Sequence, residues 1–236
     1  MGMMARRVES ERLDTLPPSD PRALRARRDL ARINAWMGQV AIMAWTLALH
    51  TGPAMPRTML DIGCGDGRFL LRVARSLSQR WSGVTAVLLD RQDIVSAETR
   101  AAFRGMGWDV ETPVADGIEF LERCPRFDIV TANLVLHHFS SAALSRLLSL
   151  IAQCTPLFVA CEPRRSRLSL WGSRLVWMIG CGEVARHDAV VSVRAGFADH
   201  ELSAAWPGST EWNLHEGPAG PFTHCFVAKR RQRNDL

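Results

Sequence analysis

The sequence predicts an α/β fold: a seven-stranded, mostly parallel sheet with an antiparallel last strand, helices on both faces and an N-terminal helical extension. Three observations carry this. Between residues 58 and 162 five short apolar runs alternate with amphipathic segments, the pattern of strands covered on both faces and joined by helical crossovers. The first run, Met59-Leu60-Asp61-Ile62, collapses into Gly63-Cys64-Gly65-Asp66-Gly67 and re-emerges as Arg68-Phe69-Leu70, which reads as a strand, a tight loop and a helix start. The last two apolar runs are joined by Gly217-Pro218-Ala219-Gly220-Pro221, a connection short enough to make them antiparallel neighbours.

Taken in order, residues 1–19 are polar, end in Pro17-Pro18 and read as a disordered tail. Asp20 offers an N-cap and Pro21 suits a first helical turn. From there Leu30, Ile33, Met37, Val40, Ala44 and Leu47 recur at three- and four-residue steps, one apolar stripe that ends near Gly52-Pro53. Residues 20–52 are therefore expected to form a helical extension or lid, whole or broken, ahead of a main domain over residues 53–229. Within it strands are expected at 58–62, 84–90, 110–114, 127–132 and 157–162, and helices at 67–79, 94–105, 117–121 and 142–153. A tryptophan-rich helix at about 164–179 and a second at about 188–204 precede strands near 211–215 and 222–228, and residues 230–236 form a basic tail.

Composition narrows the function classes. With 236 residues, 47% of them hydrophobic, the chain suits one domain with a substantial core. No apolar run reaches the roughly 18 residues a bilayer span needs; the longest candidate, 36–49, is interrupted by Gln39. Residues 1–14 lack an export pattern, so a cytoplasmic protein is expected. The six cysteines are scattered without a Cys-x-x-Cys pair, which indicates neither a disulfide framework nor a metal site. The net charge of +5 comes almost wholly from arginines spread over both termini and several helices instead of one stripe, so no nucleic-acid partner is expected.

The glycine loop alone would also suit a dinucleotide-binding sheet, which uses Gly-x-Gly-x-x-Gly at the same place. Here the third glycine falls one residue early, and Asp61 lies within the strand just before Gly63. With this order of elements, Leu60-Asp61-Ile62-Gly63-Cys64-Gly65-Asp66-Gly67 resembles the signature of class I S-adenosylmethionine-dependent methyltransferases of the small-molecule type, a likeness that extends over residues 57–228. The resemblance implies a Rossmann-like sheet and S-adenosyl-L-methionine as cofactor, bound by Asp61, Gly63, Cys64, Gly65 and Gly67. It implies that Asp90, at the end of the second strand, holds the ribose hydroxyls beside Arg91. Asp116 and Gly117 would then meet the adenine, and Asn133 the methionine part. The loop Asn133-Leu134-Val135-Leu136-His137-His138-Phe139 would bring His137 or His138 to the substrate side as a catalytic base.

Each residue also has a plainer reading. Asp90 could cap the following helix, Asp116 could serve a turn ahead of Gly117, and the histidine pair could be a helix-start hydrogen bond or packing. His187-Asp188 and His200 are weaker catalytic candidates near helix ends. Methyl transfer to a phenol or alcohol wants a base near neutral pH, which suits a histidine, whereas an activated ring carbon needs only positioning. Asn133 is followed by Leu-Val-Leu, not the Pro-Pro-aromatic run of base-amine methyltransferases, and no carboxylate cluster surrounds it to hold a metal. The expected reaction is therefore metal-independent methylation of an apolar, aromatic or lipid-like small molecule, at oxygen first and carbon next. The likeness places such enzymes in secondary, quinone or polyketide metabolism, as monomers or homodimers. A catalytically silent cofactor-binding partner, an RNA methyltransferase and a nicotinamide-dependent oxidoreductase are the alternatives. The segment with Leu168, Trp171, Leu175, Trp177, Met178 and Ile179 is expected to wall the substrate or to pack an interface.

Overall fold

The computed structural model describes residues 4–231 apart from Pro18 and Cys124. Seven strands, Thr58–Ile62 (β1), Thr85–Leu89 (β2), Asp109–Glu111 (β3), Ile129–Asn133 (β4), Leu157–Pro163 (β5), Trp212–Pro218 (β6) and Thr223–Arg230 (β7), form one sheet. Their order is β3-β2-β1-β4-β5-β7-β6. The first five are parallel, and β7 alone runs against its neighbours β5 and β6. The strand order reverses between β1 and β4, where doubly wound sheets open a crevice at the carboxyl ends of their strands.

Side chains of successive strand residues go to opposite faces, so each strand feeds two cores. Leu60, Val130, Phe158 and Phe226 pack on one face with residues of the helices Gly117–Leu121 (α6) and Ser141–Cys154 (α7). Met59, Ile129, Val159 and Val227 pack on the other with Pro21–Trp36's successor Gln39–His50 (α3) and with Arg68–Leu77 (α4). The N-terminal stripe is one helix broken in two: Pro21–Trp36 (α2), capped by the Asp20 carboxylate, ends at Gly38, whose φ of 67° lies in the left-handed region, and α3 follows. Ala97–Arg104 (α5) starts from a Ser96 cap. No helix among the described residues is long and apolar enough to cross a membrane, and the described cysteines form no disulfide, Cys124 lying outside them.

The structure departs from the sequence reading in three places. Residues 4–17, expected as part of a disordered tail, form a strap with a short helix, Arg12–Thr15 (α1), laid along Glu183–Ala195 (α9). Arg7 N donates to Arg194 O, and the buried Asp188 carboxylate accepts from Arg12 N at 2.9 Å and Leu13 N at 3.0 Å. The tryptophan-rich helix is shorter than expected, Arg167–Arg174 (α8) followed by a 3-10 turn, Val176–Ile179. The helix expected at 188–204 is two, α9 and Glu201–Ala205 (α10). The break is at Gly196-Phe197, where Phe197 N donates to Pro163 O and Arg165 N to Phe197 O, a bridge to the end of β5. Of the basic tail, Arg230 and Arg231 are described and 232–236 lie outside the described residues.

Gly196 is required at that bridge by space alone, since its φ of −64° and ψ of −174° suit any residue. A Cβ there would lie 2.1 Å from Pro163 O. Gly196→Ala should therefore cost about 3 kcal/mol by overpacking, read as a loss of denaturation midpoint, whereas Gly52→Ala, with nothing within 4 Å, should change little.

Candidate active site

A cavity of about 1110 Å³ opens at the carboxyl ends of β1, β2 and β4, above the roughly 300–1,000 Å³ of a site for one drug-sized ligand. Its floor is the glycine loop. Gly63, Gly65 and Gly67 all take left-handed φ values, 67°, 57° and 73°, which glycine adopts without a Cβ penalty. At Gly63 space matters too, because a Cβ would lie 2.5 Å from Val135 Cγ2. Cys64 lies in the same turn, and burial pushes its thiol pKa up, so it packs as a neutral group.

The cavity wall carries Asp61, Asp90, Arg91, Asp116, Gly117 and Asn133 together. Asp90, just past β2, accepts from Gly65 N through Oδ2 and from Gln92 N through Oδ1, each at 2.9 Å, so the backbone fixes its orientation. Asp116 caps α6 through Oδ1, which accepts from Ile118 N at 2.8 Å; the capping role is present, on a residue that also faces the cavity. Asn133 Oδ1 is buried without a hydrogen-bond partner. Asp61 accepts from Thr131 Oγ1 at 2.7 Å, and burial, with the Asp90 charge adding to it, pushes its carboxyl up to about 7.

The two histidines have different environments. Glu162, at the end of β5 and fully buried, accepts from Val135 N and Leu136 N at 3.0 and 2.8 Å and from His137 Nδ1 at 2.7 Å. His137 Nε2 meets Glu11 Oε1 of the strap at 3.3 Å. Burial alone would depress the His137 pKa, but the bonds to Glu11 and Glu162 outweigh it and hold the imidazolium at about 9. Both ring nitrogens of His137 face carboxylates, so a cationic His137 would be less suited than His138 to accept a proton near pH 7. His138 is partly exposed, faces Asp14 Oδ2 through Nδ1 at 3.4 Å, and has its pKa lowered by burial and by the His137 charge. It is neutral where His137 is charged.

Glu11, Asp14, Glu162 and Asn34 were missed as site residues by sequence reasoning. Glu162 had a signal, an acid ending an apolar strand; Glu11 and Asp14 had none, lying in a polar segment without periodicity. Glu11, His137 and His138 place three potential metal-ligand atoms within 4.8 Å of one another, although the Glu11 to His137 bond already occupies two of them. Neither His187 nor His200 lines the cavity. The tryptophan-rich segment also differs from expectation: Ser169, Gly172, Ser173 and Val176 form its cavity face, while Leu168, Trp171, Trp177 and Met178 are exposed.

A sheet with this strand order, a glycine loop after β1 and carboxylates at the ends of β1 and β2 defines a Rossmann-like cofactor-binding protein. The family described as "Methyltransferase domain" matches residues 59–155. An uncharacterized methyltransferase of Mycobacterium tuberculosis is 31% identical over 170 residues, 70% of this chain and 75% of that protein. Among solved structures, an O-methyltransferase family protein from Burkholderia thailandensis superimposes with a TM-score of 0.62 at 17% identity; the match covers 91% of this chain, which spans 61% of that one. The plantazolicin methyltransferase BpumL, in complex with SAH, gives 0.60 at 13% identity over 90% of this chain and 92% of its own. The chain belongs to the methyltransferases, and its fold is that of the class I enzymes.

Asp61 makes the stability of the fold sensitive to pH. Because its folded pKa lies above its ordinary value, the folded state keeps a proton that the unfolded chain releases, so stability falls as pH rises from about 4 to about 7 and is level above. Asp61→Asn, which can still accept from Thr131, should gain on the wild type in thermal denaturation across that window, by a few kcal/mol at pH 8. For His137 the sign is opposite: its contribution is complete below about pH 6.5 and is lost as pH rises through about 9. Its imidazole resonances should report the charged form at pH 7.5, and Glu11→Gln should lower the titration midpoint.

Proposed function

We propose that the protein methylates a hydroxyl of an apolar small molecule, with His138 accepting the proton. The observation that carries this reading is the split between the two histidines: one is fixed as a cation, and its neighbour is left neutral on the cavity wall beside a carboxylate, Asp14. A neutral imidazole oriented by a carboxylate suits proton removal from a phenol or alcohol near pH 7.

The methyl donor in this reading is S-adenosylmethionine, and the residues suit it. Asn133 Oδ1 is buried and lacks a partner, Gly65 faces open space with no atom within 4 Å of where a Cβ would be, and α4 begins at Gly67 with no side-chain cap. Asp90 and Arg91 would hold the ribose end, Asp116 and Gly117 the adenine, and Asn133 with the loop 63–67 the methionine part. Asp61 would supply negative charge to the cationic portion. When bound, the sulfonium supplies an activated methyl carbon, which leaves the protein to orient, exclude water and handle a proton. The acceptor would lie against Ile33, Trp36, Met37, Val176 and Phe222, with Asn34 Oδ1, buried and without a partner, as a polar anchor. The description of fold relatives as O-methyltransferases supports oxygen as the acceptor atom.

Calorimetry with S-adenosylhomocysteine should give binding that weakens about 100-fold in Asp90→Ala, the scale of losing charge-assisted hydrogen bonds; equal binding would sink the ribose assignment. Mass spectrometry of an extract incubated with enzyme and deuterated-methyl cofactor should find a labelled methyl ether. His138→Ala should then lower kcat by about 10²-fold or more. The wild-type rate should fall toward acid pH, below the ordinary histidine range because the His138 pKa is lowered, where the base takes a proton. Labelling on a ring carbon that His138→Ala does not affect would move the reading to C-methylation, and binding without any transfer would make the protein a silent cofactor-binding partner.

A further inference from the structure

Among the described residues, nine of the eleven exposed large apolar side chains come from two stretches, 21–60 and 163–182. Patches of this kind mark interaction sites. The structure joins the stretches. Arg32 Nη1 donates to Ile179 O at 3.0 Å, Gly182 N donates to Asp29 Oδ2 at 2.7 Å, and the Trp36 and Phe222 rings meet at 4.8 Å with Phe222 lying against Gly172 of α8. Leu24, Trp36, Leu168, Trp171, Trp177 and Met178 are each about half exposed or more, the tryptophans Trp171 and Trp177 at 63% and 55%.

The charge on these stretches is of one sign. Residues 21–60 contain a single acid, Asp29, which is buried, and residues 163–182 contain none. Arg25, Arg28, Arg167 and Arg174 are exposed there, while Arg32 is paired with Asp29. Glu183, the first acid beyond, is paired with Arg12. Tryptophans with an excess of arginines, the one exposed carboxylate at the border being held by Arg12, suit an anionic bilayer surface, where indole rings sit at the headgroup level and cations meet the negative potential. Leu24 and Trp36 also line the cavity, so this face borders the opening through which an acceptor would pass.

We infer that this face docks on anionic lipid bilayers and receives a membrane-dissolved, lipid-like acceptor directly into the cavity. The docking stands on exposure and charge; the delivery of an acceptor rests on the function proposed above. It needs no spanning helix. Interfacial side chains and electrostatic attraction suffice for reversible binding.

The test is co-sedimentation of the protein with sucrose-loaded vesicles of phosphatidylcholine alone and of phosphatidylcholine with about a third phosphatidylglycerol, which gives the surface a negative potential. Binding should be stronger to the anionic vesicles by about tenfold or more and should weaken with salt. Trp171→Ser with Trp177→Ser should reduce binding about tenfold while S-adenosylhomocysteine affinity and the denaturation midpoint stay unchanged, since neither side chain lines the cavity. The inference is overturned if both vesicle types bind equally or not at all, or if the double variant binds as the wild type does. It is overturned too if ultracentrifugation shows a dimer that the double variant dissociates, because a second copy then covers the face. S-adenosylhomocysteine binding and methyl transfer are read without vesicles, so a failure of the methyl-transfer reading is distinguishable from a failure of docking.

Discussion

The geometry of the site depends on one buried carboxylate. Glu162 sits at the end of a strand whose every residue is buried, and an unpaired charge there would be severely unfavourable. It is satisfied by the backbone N–H groups of the loop after β4 and by the His137 ring. That requirement sets the path of the loop. It positions Val135 so that residue 63 must be glycine, and it holds Leu134 at φ 56°, a conformation a leucine keeps only where its surroundings impose it. Fixing His137 as a cation in turn lowers the basicity of His138. A single acid at a strand end therefore reaches the glycine loop, the backbone strain and the charge of the histidine pair.

Carboxylate burial is used in two opposite ways across this cavity. Around His137, two acids are compensated inside the protein by an imidazolium, and the cluster is complete without a ligand. Asp61 is compensated only by the Thr131 hydroxyl and keeps a proton near neutrality in consequence. The first arrangement balances its charge within the protein; the second leaves an acid with no cationic partner among the described residues.

The sheet was legible in the sequence because parallel strands buried on both faces must be apolar throughout, and helices between them must be amphipathic. The motif residues Asp61, Gly63, Gly65, Gly67, Asp90, Asp116 and Asn133 were legible for the same local reason: each belongs to a strand end or its turn, so neighbours in sequence are neighbours in space. What was hidden depends on contacts between distant segments. Glu11 and Asp14 acquire their partners only after residues 4–17 lie along α9, and nothing in a polar run announces that. The split at Gly196 was hidden because its cause is the carbonyl of Pro163, more than thirty positions earlier. The histidine pair was legible as a pair, but the assignment of charge within it was set by those distant carboxylates.

The strap also gives the chain two unlike ends. Met4 O accepts from Arg165, and Arg6 donates to the carbonyls of His137 and Phe139, so the strap begins against the loop after β4. Lys229 pairs with Leu157, the first residue of β5, so the chain leaves from the opposite pole of the sheet. Cargo attached ahead of the strap would start beside the loop after β4, whereas cargo attached beyond β7 would start at the opposite pole of the sheet. The orientation of a recombinant fusion is thus a chemical variable for this enzyme.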